Sequence, residues 1–412
     1  MGVEGSSFSS APLEKEIEMR RIVLLLASMA LGMLLACGVA LALPSGTPEG
    51  TPDKTPMVNG TVRAIEHVGT KIWVGGKFTQ VKQCNDSAKA LNVSNVAVFD
   101  SQSNNCKVIP IADLPKLGGS GSEVWDMTLY GENVLIAGKF SGPSSTQKNL
   151  VLVNGTTGEV IRWYNAPSLR SALAAPDLGR IYGGGASLTA FELSGTKLWT
   201  KAKTTVNTTL YPDAPTPGYR DLELDADGQK IWAACACDAV GGKDAKVLAK
   251  LTTEGDVTSW RAAADAASWG MSVAQTNGAL YLGAGGSDYL AEFSKASGGN
   301  PNWVRDTSGS VQVVEVMDGQ LVIGGHFWEV ADEPSDSCGH GRADLLDSEN
   351  QCQTRKGIAA YSFGGRLDSW SWTYAGKYSL VWALHVDGAR LHTGGEFLTV
   401  NGVTHNYYAR LS

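Results

Sequence analysis

Lys77, Lys139, His326 and Glu396 each follow a pair of small residues that closes an apolar stretch. Ammonium, imidazole and carboxylate groups around one opening could bind a polar ligand, or do acid–base work on a sugar. Histidines are concentrated late in the chain, at His326, His340, His385, His392 and His405. Zinc would need His326, His340 and His405 to converge, and no local H-x-x-x-H spacing supports that. Residues 328–352 hold Asp332, Glu333, Asp336, Asp344, Asp347 and Glu349 around His340. Such carboxylates can take calcium, but the D-x-[DN]-x-[DN]-G ladder is missing, so a solvated acidic loop is expected. Trp328 and Tyr407 are candidate aromatic contacts for a ligand. There is no G-x-S-x-G, and no Ser, His and Asp set stands out. The expectation is therefore a binding protein with no catalytic residue, metal or cofactor. The alternative is an enzyme, an oxidase, lyase or hydrolase acting on sugars, with Lys77, Lys139, His326 and Glu396 at its mouth.

The elements that must position these residues repeat seven times. KIWVGG, NVLIAG, RIYGGG, QKIWAAC, ALYLGAGG, QLVIGG and ARLHTGG carry the small pair at Gly75, Ala137, Gly183, Ala233, Gly283, Gly324 and Gly394. The mean interval is about 53 residues, which suits propeller or array repeats. Each repeat reads as a strand, a turn bearing Gly, Asn or Asp, a strand ending in the small pair, a third strand and a closing turn. Four antiparallel strands in each of seven units predict an all-β, seven-bladed β-propeller. Glycine at the pair lets neighbouring backbones approach. Trp163, Trp199, Trp260, Trp303 and Trp370 recur once per repeat, so packing between blades is their expected role. Repeat 7 stops at Ser412 after its third strand. Residues 55–59 are expected to supply the fourth and close the ring.

Loop lengths are unequal. The connection after the small pair is long in repeats 1 (79–94), 6 (328–356), 7 (398–405) and 2 (141–149), and short in repeats 3 and 5. These four are consecutive in a closed ring, so extra mass gathers on one side of one face, where binding is expected. Six cysteines follow Cys37 and allow fifteen pairings. Locality favours Cys84–Cys106 and Cys338–Cys352, each closing one long loop. Cys235 and Cys237 share one side of a strand and could be bonded, free or metal-bound.

Residues 20–43 place two arginines before an apolar run that ends in Ala-Leu-Ala, the form of a secretory signal. The run is also long enough for an uncleaved membrane anchor. LLAC resembles a lipobox with Cys37 as the lipidated residue. All three readings put the chain outside the cytoplasm or on the cell surface. The domain reading is an N-terminal segment 1–42, a proline-rich linker 43–56 and a propeller 57–412. A net charge of -7 argues against a nucleic-acid partner. A monomer binding a protein or glycan is expected.

The four hydrophobic residues, glycine doublet and later tryptophan resemble the kelch repeat. The GGKF and GGEF endings, the AVFD strand and the TG…W turn are more similar to delta-60 repeat propellers of secreted bacterial proteins. SGTKLW is also similar to quinoprotein blades. The resemblance covers about residues 57–412 and implies the fold; it transfers no catalytic residue.

Overall fold

Alternating apolar strands and Gly-rich turns leave little room for helix. The computed structural model describes residues 51–83, 86–101, 107–111, 113–207, 216–264, 268–338, 352–376, 378 and 380–412. The N-terminal apolar run, Cys84, Cys106, His340, Asp344, Asp347 and Glu349 lie outside the described residues. Among those described, the sheets are antiparallel and the one helical element is a 3-10 turn, Pro176–Leu178.

Each repeat forms one principal sheet. Its first strand is Val62–Val68, Gly118–Tyr130, Ser171–Ala175, Gly218–Leu224, Trp269–Gln275, Val311–Met317 or Val381–Asp387. The strand carrying the small pair lies in second place, and the third strand beyond it. Repeats 2, 3 and 5 add a regular fourth strand. In repeats 1, 4 and 6 a single bridge does that work: Phe99 with Val108, Leu251 with Val257, and Tyr361 with Leu367. The seven first strands touch in sequence order, and Val381–Asp387 returns to Val62–Val68.

The small pairs act as the sequence requires. A side-chain carbon added at Gly75 would meet Val124 at 2.6 Å, and one at Gly324 would meet Val381 at 2.6 Å. The facing residue belongs to the first strand of the next sheet, so a larger residue would force the sheets apart. Tryptophan rings fill the wider outer gaps. Trp199, Trp260 and Trp303 lie against Gly255, Gly298 and Gly365, each in the turn of the following repeat. Trp73 Nε1 likewise donates to Gly155 O at 3.0 Å.

The closing seam differs from the expected strand over 55–59. Residues 53–58 run beside Tyr408–Leu411, with Asp53 N donating to Arg410 O (2.9 Å) and Val58 N to Asn406 O (3.4 Å). The regular strand in this segment, Met57–Val58, instead pairs outward with Gln80–Gln83. Asp53 also binds Arg410 Nε at 2.6 Å, and Thr55 is buried against His405 and Tyr408. The end of the proline-rich stretch is thus part of the fold, because its polar groups satisfy an otherwise open sheet edge. All described residues belong to one compact unit, Thr47–Ser412.

Small second sheets stand on the loops of repeats 1, 6 and 7, with Gln80–Gln83, Glu329–Val330 and Thr399–Val400 at their centres. Repeat 2 instead lengthens its principal sheet, as far as the pairing of Gly118 with Ser141. Repeat 4 also carries a second sheet, which the loop-length reading missed: Thr204–Thr205, Ala239–Val240 and Lys243–Asp244. Its turn is Gly241-Gly242, both at positive φ, the chemistry of a two-residue hairpin. Cys338 is bonded to Cys352 as expected, and Cys235 is bonded to Cys237.

Candidate functional site

The first strands surround a central channel, and one irregularity shapes its mouth. In six of them one residue is extra to the pairing: Arg63, Trp125, Arg220, Met271, Gln312 and Trp382. A bulge re-aims its side chain. Here all six line a cavity of about 80 Å³, which Arg170 completes just ahead of Ser171–Ala175. These seven form a collar.

The collar is uneven. The Arg63 guanidinium lies 4.1 Å from the Trp125 ring centre and 4.3 Å from that of Trp382. Arg170 lies 4.1 Å from the Trp125 ring. Indole faces attract cations, so the rings fix these side chains without neutralising them. Arg63 is ion-paired with Glu123 and, at 3.9 Å, with Glu396. Among the described residues Arg170 and Arg220 have no carboxylate within ion-pair distance. Arg220 donates to Thr216 O at 3.0 Å, while its Nε is buried without a partner. Burial and the nearby Arg170 charge pull the Arg220 guanidinium down to about 10. Met271 and Gln312 make the neutral side of the ring.

Below the collar the channel widens to about 380 Å³ and turns acidic. Asp126 accepts a bond from Ala172 N (2.7 Å), and Asp221 accepts from Ser272 Oγ and Val273 N (2.9 Å each). Both latch one first strand to the next. Ser272 Oγ does the same for Val314 N at 3.2 Å. Glu66, Glu223 and Glu315 follow two or three residues deeper. Their side chains line the channel and are only partly exposed. Burial, reinforced by neighbouring carboxyls, raises Glu66, Asp126 and Glu315 to about 8 and Glu223 to about 7. Asp221 is raised by burial as well. The belt therefore keeps protons near neutrality.

A third group joins repeats 1 and 7 at the far end of the same strands. Asp387 lies 3.2 Å from His67 Nδ1 and 3.9 Å from His392 Nε2, and His392 Nδ1 meets the Tyr408 hydroxyl at 2.7 Å. Burial, with His392 and His67 nearby, lowers His385 to about 4. Among the described residues no group of three or more His, Cys, Asp or Glu side chains is placed to hold a metal.

The described residues among those expected from sequence lie in several places. Glu396 reaches the collar, where it also accepts a bond from Thr61 Oγ at 3.3 Å. Lys139 pairs across from Glu123, and Lys77 and His326 are exposed nearby in their strand ends. Trp328 is half-buried beneath Lys356, 5.2 Å from its ring. His405 is 3% exposed and bonded to Thr55, which places it in the seam, not on an open face. Tyr407 packs against the apolar core of repeat 1. The sequence reading missed Arg63, Trp125, Arg170, Arg220 and Trp382. The signal was present: VR, VW, LR, YR and VW place one large cation or indole in or just before five of the first strands.

No protein-family model matches the chain, and no curated protein is similar to it in sequence. Solved structures do resemble it. The U3-55K structure is 10% identical, with 89% of this chain and 99% of that chain covered, at a TM-score of 0.55. The RRP9 WD40-repeat structure is 9% identical, with the same coverages and a TM-score of 0.54. Raptor from Chaetomium thermophilum is 12% identical, with 89% of this chain but 29% of that chain covered, at a TM-score of 0.55. At these identities the likeness concerns architecture alone. The chain is an all-β protein with a β-propeller fold akin to that of WD40-repeat proteins.

Proposed function

We propose that the chain is an exported, seven-bladed propeller of the delta-60 or kelch-like kind, serving as a non-enzymatic scaffold that binds a protein partner. The circle of seven first strands supports the blade count. The Cys338–Cys352 bond suits an oxidising compartment and supports export. The apolar run over 20–43 would then be the export signal or a surface anchor.

The observation that carries the binding reading is the collar. Tryptophan and arginine dominate binding hot spots, since they join large apolar area to directed charge. Five of the seven collar residues are of these two types. Second sheets on repeats 1, 4, 6 and 7 would frame the same end and supply the rim. Trp328 would stand in that rim, where a glycan-bearing partner would also be met.

Affinity capture from the native extracellular material tests this reading. Wild-type protein is compared with a Trp125→Ala/Trp382→Ala variant and a Lys197→Gln control on an outer strand. A partner kept by the control and lost by the double variant supports the scaffold. Equal capture by all three would remove the collar from the interface.

A further inference from the structure

The collar holds a charge imbalance that an anion would correct. Arg63 is balanced by Glu123 and Glu396. Arg170 and Arg220 are in no ion pair among the described residues; both are partly withdrawn from water, Arg170 feels the Arg63 charge against only the more distant Glu123, and Arg220 feels the Arg170 charge. Two like charges kept close without a counter-ion are costly, and a carboxylate between them would gain charge-assisted hydrogen bonds from both forks. Arg220, which lines this space, already holds its Nε buried without a partner.

The chemistry of the lining selects the anion. The collar cavity of about 80 Å³ opens into the wider channel and has room for an acetate-sized group. A planar monoanion matches the guanidinium fork. A phosphate dianion would sit above the carboxyls of Asp126 and Asp221 and be repelled as they ionise.

We propose that the collar is a carboxylate pocket that receives a Glu or Asp side chain of the protein partner, with Arg170 and Arg220 as its binding pair. This deepens the scaffold reading and rests on it. Arg63, ion-paired with Glu123 and Glu396 and clamped between two rings, holds Trp125 in place.

The test uses the full chain and defined probes. Tryptophan fluorescence is followed while a short Glu-containing peptide, its Gln counterpart, acetate or inorganic phosphate is titrated. The Glu peptide should bind, the Gln peptide should bind roughly tenfold more weakly or not at all, and acetate should compete where phosphate does not. Arg170→Gln/Arg220→Gln should lose roughly tenfold for the Glu peptide, while Lys197→Gln keeps it. Matching melting curves of the variants exclude a folding effect. Equal binding of Glu and Gln peptides, a tighter site for phosphate, or binding indifferent to the double variant would each overturn the proposal. A partner captured through the collar without Glu-peptide binding would overturn the carboxylate pocket and leave the scaffold standing. Peptide binding with no captured partner would do the reverse.

Discussion

Arg220 and Asp221 are neighbours in one strand and meet opposite fates. Arg220 sits in the collar, stays cationic, and makes one hydrogen bond to backbone. Asp221 sits in the belt, is pushed toward its neutral form, and accepts bonds from two atoms of the next sheet. The collar thus keeps charge that the fold does not use, and the belt spends its polar groups on holding sheets together. A side chain with surplus charge and few bonds is available for a ligand; one with satisfied bonds is structural.

The largest expected effect is at the closing seam, where polar groups hold sheet edges together as the belt does inside the channel. Deleting residues 51–59 removes Asp53, Thr55 and buried Val58, and should lower the melting temperature sharply in a thermal scan. An unchanged value would mean that the ring closes without them.

Next comes the neighbour pair itself. Asp221→Ala leaves Val273 N and Ser272 Oγ without their acceptor, and should cost about 2–4 kcal/mol in urea unfolding. Arg220→Ala should change stability by about 0.5 kcal/mol or less. Equal losses would erase the distinction between collar and belt.

The pH dependence separates the two regions without mutation. Glu66, Asp126, Glu223 and Glu315 have folded pKa values above their unfolded ones. The folded state then binds more protons, so their contribution is full below about pH 4 and is lost as pH rises to about 8. His385, lowered to about 4, works the other way between pH 4 and 6.5 and makes the early decline shallower. The urea midpoint should therefore fall between pH 5.5 and 8.5, by about 1 kcal/mol or more of stability. Glu66→Gln/Glu315→Gln should flatten the fall. Arg220, at about 10, keeps its charge across this range, and Arg220→Ala should leave the slope unchanged.

The smallest effect compares two collar rings. Trp125 carries two guanidiniums and Trp382 one. Trp125→Ala should lose about 0.5–1 kcal/mol more than Trp382→Ala in the same urea assay. The reverse order would show that packing area, not cation contact, sets their worth.

Local rules made much of this legible beforehand. The KIWVGG-type endings require close backbones, and Gly75 and Gly324 do face a valine of the next sheet. Trp199, Trp260 and Trp303 sit between sheets because a once-per-repeat indole has a once-per-repeat gap to fill. The 338–352 disulfide followed from locality. The repeat 4 hairpin was also readable, from Gly241-Gly242, but its sheet is short. The polar residues after the small pairs were legible as a ring of positions, not as a site, since exposure at Lys77 and His326 carries no partner information. His405 looked like a surface ligand because nothing local shows that residues 53–58 return to cover it.

By itself the sequence determined the repeating unit: strand alternation, turn glycines and the tryptophan interval are properties of stretches a few residues long. Only the tertiary structure decided which residues face the axis. A bulge turns Arg63, Trp125, Arg220 and Trp382 into the channel mouth, and that rotation appears only when strand pairing is known. Charge followed the same division. Arginine and glutamate can be counted in the chain, but whether each keeps its charge depends on burial and on neighbours about fifty residues away, brought close by the stacking of one sheet on the next.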